Sequence, residues 1–365
     1  MTSGPLLSIE DLHTRFETRR GTVLAVDGLS LTVDKGEVVA VVGESGCGKS
    51  VAMRSILRLL PETTVRYGPG RILLDGRDLL TLDQHEMEEV RGRDIAIVFQ
   101  DPMASLNPVL TIGRQIGEAI ARHKGGSRAQ IRERTVDLLR QVGIPSPESR
   151  LAAYPHQFSG GMRQRVMIAM ALSCNPRLIL ADEITTALDV TIQAQIMRLL
   201  KALVAETETA VILVTHDMGI VAGAAERVYV MYAGTVVETA DTLDLFRRPA
   251  MPYTWGLLRS IPRLDRPVDQ PLQPIEGLPP DVGKLQQGCR FQPRCAYRRP
   301  ICAEREPALL PVANSGPCHA SRCWGTHAVP DGGWLIGTDW QTDFGDPALL
   351  DEIRRSSAGV AETSA

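Results

Sequence analysis

Three features of the sequence together predict an α/β fold organised around a phosphate-binding loop. The first is the run Gly43-Glu44-Ser45-Gly46-Cys47-Gly48-Lys49-Ser50, which follows the apolar stretch Val38 to Val42 and precedes a segment with helical apolar spacing. A buried strand, a glycine-rich turn and then a helix is the context that a P-loop requires. The second is a set of short apolar runs, Leu178 to Ala181, Val211 to Val214 and Val228 to Tyr232, alternating with helical patterns near Thr191 to Leu203 and Met218 to Ala225. Such alternation predicts an α/β core. The third is Asp182-Glu183, directly after the run Leu178 to Ala181. It puts two carboxylates at the carboxyl edge of the sheet, where α/β proteins bind ligands.

In chain order, residues 6 to 42 read as β-rich, with turns at Asp27-Gly28 and Asp34-Lys35-Gly36 separating the runs Val23 to Val26, Leu29 to Val33 and Val38 to Val42. After the loop a helix is expected from Lys49 to Leu60, carried by Val51, Met53, Ile56, Leu57, Leu59 and Leu60 and stopped by Pro61. Strands follow at Arg71 to Leu74, closed by Asp75-Gly76, and at Ile95 to Phe99. Between about Thr111 and Ala171 the pattern turns helical, broken at Gly125-Gly126, Pro145 and Pro147, which predicts an inserted helical subdomain. After Ser260 the prolines Pro262, Pro267, Pro271, Pro274, Pro279 and Pro280 read as an extended linker. From Val329 on the chain is polar and ends rich in Gly, Ala and Ser, so a poorly ordered tail is expected.

With 44% hydrophobic and 23% charged residues over 365 positions, the composition is that of a globular protein, large enough for one main domain and an appendage. A net charge of -3 gives no basic field for nucleic acid. No stretch approaches the roughly 18 consecutive apolar residues of a membrane span, and the start MTSGPLLSIEDLH lacks the features of a signal peptide, so a cytoplasmic chain is expected.

The residue types in these motifs fit phosphoryl transfer. Glycines let successive backbone N–H groups turn toward phosphates, a helix N-terminus adds its dipole, Lys49 neutralises phosphate charge and the Ser50 hydroxyl can ligate Mg2+. A glycine turn that merely joined strand to helix would not need Lys49-Ser50. Asp182 is expected to hold Mg2+, directly or through water, and Glu183 to orient and polarise the attacking water as general base. Two further polar groups end apolar runs, Gln100 after Ile95 to Phe99 and His216 after Val211 to Thr215. Alone, each would read as a surface or capping residue; in this constellation both are site candidates. Ser159-Gly160-Gly161 opens a second helix suited to phosphate. One small domain has no evident use for two such termini on one nucleotide, unless the second faces a nucleotide held by another subunit. That predicts a dimer.

The order of P-loop, Gln100, Phe158-Ser159-Gly160-Gly161-Met162-Arg163-Gln164-Arg165, Leu180-Ala181-Asp182-Glu183, Ala187-Leu188-Asp189 and His216 resembles the nucleotide-binding subunit of ABC transporters. Asn107-Pro108, Tyr154-Pro155-His156-Gln157 and Thr185-Thr186-Ala187-Leu188-Asp189-Val190 resemble more narrowly the dipeptide, oligopeptide and nickel import subfamily. The resemblance implies a P-loop NTPase core of the ABC ATPase kind over residues 6–250, with an antiparallel β subdomain and a helical subdomain at about 105–172. A Pro-rich linker and cysteine-rich extension (251–328) and a flexible tail (329–365) would follow. It implies a head-to-tail dimer in which Ser159, Gly160, Gly161 and Met162 of one subunit close over ATP on the P-loop of the other. Asp189 would lie at the dimer seam, and His216 would contact the γ-phosphate. Gln100 would link the Mg2+ site to the groove gripping the membrane subunits, and Phe16 would stack on adenine. Its implied partners are a similar but distinct second ATPase, two transmembrane permeases and an extracytoplasmic solute-binding protein, with the chain on the cytoplasmic face of the plasma membrane. Ile184 departs from the family, which usually has proline after the catalytic glutamate. A soluble ABC ATPase acting on ribosomes or DNA, and a drug exporter, are the rival readings; tandem nucleotide domains or a long coiled coil would mark the former, and neither is present.

Five of the seven cysteines, Cys289, Cys295, Cys302, Cys318 and Cys323, crowd one C-terminal segment. In a reduced compartment metal explains such crowding better than disulfides, and the spacing alone leaves zinc and iron–sulfur open. The segment Gly288-Cys289-Arg290-Phe291-Gln292-Pro293-Arg294-Cys295 resembles the tail of peptide-importer ATPases, some of which bind a 4Fe-4S cluster. The resemblance implies Cys289, Cys295, Cys302 and Cys318 as ligands, with Cys323 spare.

Overall fold

Strands buried on both faces must be apolar at nearly every position, and Ile95–Val98, Leu178–Asp182 and Ala210–Thr215 are. In the computed structural model they pair in parallel, Ile95 opposite Leu178 and Leu178 opposite Ala210. The structure describes residues 4–19, 21–185, 189–261, 274–312, 315–327 and 333–335. These divide into two units, of which the first comprises Met1–Leu6, Val33–Val38 and Asp78–Val214.

This first unit holds the helical segment expected from the sequence. Ile112–His123, Arg128–Gln141 and Gly160–Leu172 pack on one another, with Ile112, Ile116 and Ile120 buried at four-residue spacing. Their starts are written into the sequence: Thr111 caps the first, and Ser127 forms a reciprocal capping box with Gln130 on the second. The helix expected at Thr191 to Leu203 runs longer, Val190–Thr207, capped by Asp189.

The second unit comprises Leu7–Thr32, Val39–Arg77 and Thr215–Ala365. Strand Leu7–Thr18 pairs antiparallel with Arg71–Leu74 and with Val65–Tyr67, in one sheet with Gly21–Val33. In a second arrangement Val38–Val42 runs parallel to Arg227–Tyr232, which pairs antiparallel with Thr235–Asp241. Two short strands of the C-terminal segment, Ala320–Ser321 and Leu310–Pro311, extend this edge.

Two local expectations are corrected. No turn interrupts Gly21–Val33 at Asp27-Gly28; Gly28 takes φ +67° within the strand, and the Asp27 N–H donates to the Gly234 carbonyl at 2.8 Å. A tertiary hydrogen bond thus uses the donor that a turn would have kept local. The helix after the loop covers only Lys49–Ile56, because Arg58 enters the left-handed region at φ +48° before Pro61 is reached. Prolines 262, 267 and 271, and the tail beyond Leu335, lie outside the described residues. No helix among the described residues is long and apolar enough to cross a membrane.

Glycine replacement separates backbone strain from crowding. At Gly76 (φ +80°) an added Cβ meets open space, whereas at Gly70 (φ +115°) it would stand 2.2 Å from the Asp11 carbonyl oxygen. Gly76→Ala is expected to cost about 1 kcal/mol, the left-handed penalty alone. Gly70→Ala should cost clearly more, about 3 kcal/mol, in urea unfolding curves of the two variants.

Candidate nucleotide and thiol sites

The phosphate loop leaves the buried strand Val38–Val42 at Gly43 and enters the helix Lys49–Ile56 at Gly48. Gly43, Gly46 and Gly48 all take positive φ, at +151°, +81° and +105°. A Cβ on Gly43 would lie 2.2 Å from the Met231 carbonyl oxygen, and one on Gly48 would lie 2.5 Å from that of Ala25. Only glycine fits at these two points. Gly48 supplies no side-chain cap, and the first helical turn carries no acidic residue, so no carboxylate offsets the helix dipole at this terminus. Lys49 is 4% exposed, and its ammonium donates to the carbonyls of Gly43 (2.7 Å) and Glu44 (3.0 Å). Cys47 is buried beside it, and that burial pushes its thiol up from the ordinary range.

Phe16 sits half-buried on Leu7–Thr18, opposite Val65 in register. His216 is exposed, directly after strand Ala210–Thr215. Both belong to the same unit as the loop.

The acidic pair belongs to the other unit. Asp182 is 2% exposed at the end of its strand, opposite Val214. Glu183 follows in the left-handed region at φ +49°, a strained conformation for a residue with a Cβ. Two interactions hold it: its N–H donates to the Val214 carbonyl at 3.0 Å, and Gln100 Nε2 donates to its carboxylate at 2.9 Å. Ile184 is 1% exposed, so burial anchors the position where the family has proline. In the same unit Ser159 caps the helix Gly160–Leu172 by accepting from the Met162 N–H at 3.3 Å. Ser159 and Gly160 are exposed; a Cβ on Gly160 meets nothing, while one on Gly161 would stand 2.9 Å from Ile192. Asp189 is exposed at the start of its helix, and residues 186–188 lie outside the described set.

Sequence reasoning missed what holds the loop from outside. Tyr253 Oη accepts from the Glu44 N–H at 2.7 Å, and Arg294 grips the Glu44 carboxylate with both guanidinium branches. Tyr232, Tyr253 and Phe291 stack mutually beneath, with ring centroids 4.6 to 5.4 Å apart. Arg294 precedes Cys295, but no local pattern in the sequence says that an arginine 250 residues downstream meets the loop.

Four of the five clustered cysteines lie around one small cavity. Cys289, Cys295, Cys302 and Cys323 line one enclosed cavity of about 20 Å³ with Phe291 and Trp324, and Cys318 is not among its lining residues. Among the described residues no group of three or more His, Cys, Asp or Glu is arranged to hold a metal ion. Burial pushes the thiols up, Cys289 to about 12 and Cys295 to about 11.

The glycine loop that runs from a buried strand into the helix begun by Lys49 and Ser50 defines a P-loop nucleotide-binding cassette, and comparisons with known proteins agree. The ABC transporter family profile matches residues 26–186, and the oligopeptide/dipeptide transporter C-terminal region matches residues 237–302. The chain is 50% identical to the dipeptide transport ATP-binding protein DppD of Bacillus subtilis, over 90% of this chain and 98% of that one. It is 47% identical to the oligopeptide transport ATP-binding protein OppD of the same organism, over 88% and 89%. Among solved structures, the dimeric post-hydrolysis ATP-binding cassette MJ0796 bound to ADP and Pi aligns with a TM-score of 0.58 at 30% identity, covering 65% of this chain and 98% of that one. The chain belongs to the ATP-binding subunits of ABC transporters, in the oligopeptide/dipeptide group, and is an ATPase.

Because the thiolate is the nucleophile, raised thiol pKa values slow alkylation at neutral pH. In metal-free, reduced protein at pH 8, loss of thiolate is expected to slow reaction with iodoacetamide, relative to an unperturbed thiol, on the order of a hundredfold for Cys295 and a thousandfold for Cys289. As pH rises, Cys295 should gain reactivity before Cys289; peptide mass spectrometry reads both.

Proposed function

We propose that the chain is the ATP-hydrolysing subunit of a peptide importer, working at the cytoplasmic face of the plasma membrane. Its partners in this reading are a distinct second ATPase, two transmembrane permeases and an extracytoplasmic solute-binding protein. The observation that carries it is a phosphate loop with no room for a Cβ at Gly43 or Gly48, in a chain about half identical to a named dipeptide transport ATPase along nearly its whole length. That relative and OppD are named for peptide transport, which favours import of peptides over drug export or work on ribosomes and DNA.

In this reading the loop amides of Gly43–Ser50 cradle the phosphates of ATP, and Lys49 leaves its two carbonyl partners to meet them. Phe16 stacks on adenine and His216 contacts the γ-phosphate. Ser50, Gln100 and Asp182 are the groups that would hold Mg2+, which would neutralise charge developing on the phosphate oxygens. Glu183 accepts a proton from water as its oxygen attacks the γ-phosphorus; the bond to the bridging oxygen breaks, leaving ADP and phosphate. Gln100, donating to the Glu183 carboxylate at 2.9 Å, keeps that base oriented. The exposed terminus at Ser159, Gly160, Gly161 and Met162 covers the nucleotide of a partner subunit, and Asp189 lies at the seam. The dimeric state of the MJ0796 cassette supports such an arrangement.

For the extension, the finer reading is a 4Fe-4S cluster held by Cys289, Cys295, Cys302 and Cys323. The residue types suit it, since four cysteines line one cavity, although no three of them are arranged to hold a metal ion among the described residues. The space does not fit as it stands, because about 20 Å³ holds roughly one water. The cluster would be a structural staple, and no step of hydrolysis runs through it.

Glu183→Gln is expected to preserve ATP binding while hydrolysis falls by about three or more powers of ten, since the water loses its base. Lys49→Ala should weaken nucleotide binding itself. Single-turnover hydrolysis beside equilibrium binding separates the two; parental turnover in Glu183→Gln would remove the base assignment.

Iron and acid-labile sulfide in anaerobically purified protein test the cluster. Cys323→Ser should lose both while Cys318→Ser keeps them. Protein purified without iron would strike the cluster from the reading.

A further inference from the structure

A phosphate loop has no obvious use for a carboxylate, since it exists to gather polyanions. Yet Glu44 is its second residue, and its side chain is only 23% exposed. Arg294, at 6%, neutralises it as a fork: one branch reaches Oε2 at 2.5 Å and the other reaches Oε1 at 2.9 Å. The remaining donor capacity of Arg294 is directed at the Tyr232 hydroxyl, at 3.5 Å, and at the chain around residue 276. Its Nε bonds the Glu276 carbonyl at 2.9 Å, and its second branch also reaches the carbonyls of Ile275 and Gly277 at 3.3 Å. The guanidinium faces the rings of Tyr232 and Phe291 at about 6 Å. An arginine bound on so many sides is a fixed point.

Glu44 is held at the main chain as well. Tyr253 Oη accepts from its N–H, and its carbonyl accepts from Lys49 Nζ. The residue therefore joins three things: the lysine that must reach phosphate, the aromatic cluster, and the extension through Arg294. Arg294 in turn closes the short helix Gln292–Arg294, between Cys289 and Cys295 of the thiol cavity.

We propose that Arg294 is a positioning residue of the ATPase site: it neutralises the Glu44 carboxylate and holds it aside, so that the C-terminal extension completes the phosphate loop. The proposal rests on the reading that Gly43–Ser50 binds ATP. Without the guanidinium, a partly buried anion stands unpaired within a loop that must accept the triphosphate, and charge repulsion lowers affinity. The carbonyl that positions Lys49 also loses one of its supports.

The test is equilibrium binding of a fluorescent ATP analogue to the full chain, with thermal unfolding run in parallel. Arg294→Ala should raise Kd about tenfold or more. Adding Glu44→Gln to that variant should restore Kd to within about threefold of the parent, because the unpaired charge is gone. A purely structural brace would not be rescued by deleting its other half. Glu44→Gln alone, a near-isosteric change that keeps the fold measurable even if Arg294→Ala unfolds, should bind ATP as tightly as the parent or tighter. Unchanged Kd in Arg294→Ala, no rescue by Glu44→Gln, or tenfold weaker binding in Glu44→Gln alone would each overturn the proposal. Lys49→Ala serves as the reference. If it too binds like the parent, the phosphate-loop reading is the one that fails; if it loses binding while Arg294→Ala does not, only the role of Arg294 falls.

Discussion

A phosphate-binding loop has to satisfy two opposed demands: its amides must stay unpaired and point outward, yet the loop must not collapse onto them. Here the conflict is resolved by close approach. Gly43 and Gly48 lie so near the carbonyls of Met231 and Ala25 that neither tolerates a Cβ, at 2.2 and 2.5 Å. Gly234 is less crowded, a Cβ there standing 2.9 Å from the Ala25 carbonyl oxygen, and its carbonyl takes the Asp27 N–H while its own N–H donates to the Cys47 carbonyl. The loop is therefore clamped by close backbone contacts between strand Gly21–Val33 and the turn after Arg227–Tyr232, in addition to the side chains of Tyr253 and Arg294. Backbone clamping leaves few rotamers to rearrange when a nucleotide arrives.

How much of this is legible in the sequence follows from how local each constraint is. The loop, the strand Leu178–Asp182 and the Ser159 cap are written within a dozen residues each, and their physics is local hydrogen bonding and apolar burial. Asp27-Gly28 misleads because a turn signature can serve a kinked strand once a distant carbonyl claims the free N–H. The fourth cavity thiol escapes sequence reasoning for a related reason. Cys318 and Cys323 are five residues apart, and only the pairing of Ala320–Ser321 between them decides which one turns into the cavity.

Glu183 illustrates a site that a sequence pattern can find but not explain. Its left-handed backbone is costly for a side chain, so something must over-determine it. Part of the answer is the Val214 carbonyl, and part is the full burial of Ile184 immediately after it. A buried branched aliphatic resists displacement by losing apolar contact, where proline resists by fixing φ. The departure from the family residue thus exchanges one source of rigidity for another and leaves the carboxylate beside Gln100.

The extension poses a different question, because so short a segment cannot bury a core of its own. Beside the stack of Phe291 on Tyr232 and Tyr253, polar groups attach it. Glu238, fully buried on Thr235–Asp241, accepts from the N–H groups of Ala250 (2.5 Å) and Met251 (3.2 Å) and pairs with His319 Nε2 at 2.9 Å. Arg290 pairs with Asp27 and Glu306 and donates to the Ala233 carbonyl. Buried ionic networks of this kind contribute less net stability than their number suggests, since desolvation offsets most of the attraction. Their geometry, however, is unforgiving: one lost partner leaves a buried charge uncompensated. An appendage held by greasy contacts could slide on its support. One held through Glu238, Arg290 and Arg294 has a single register, and two of these three arginine and glutamate anchors end on the strands and loop that surround the nucleotide-binding glycines. Fixed in that way, the extension behaves as part of the phosphate site's scaffold.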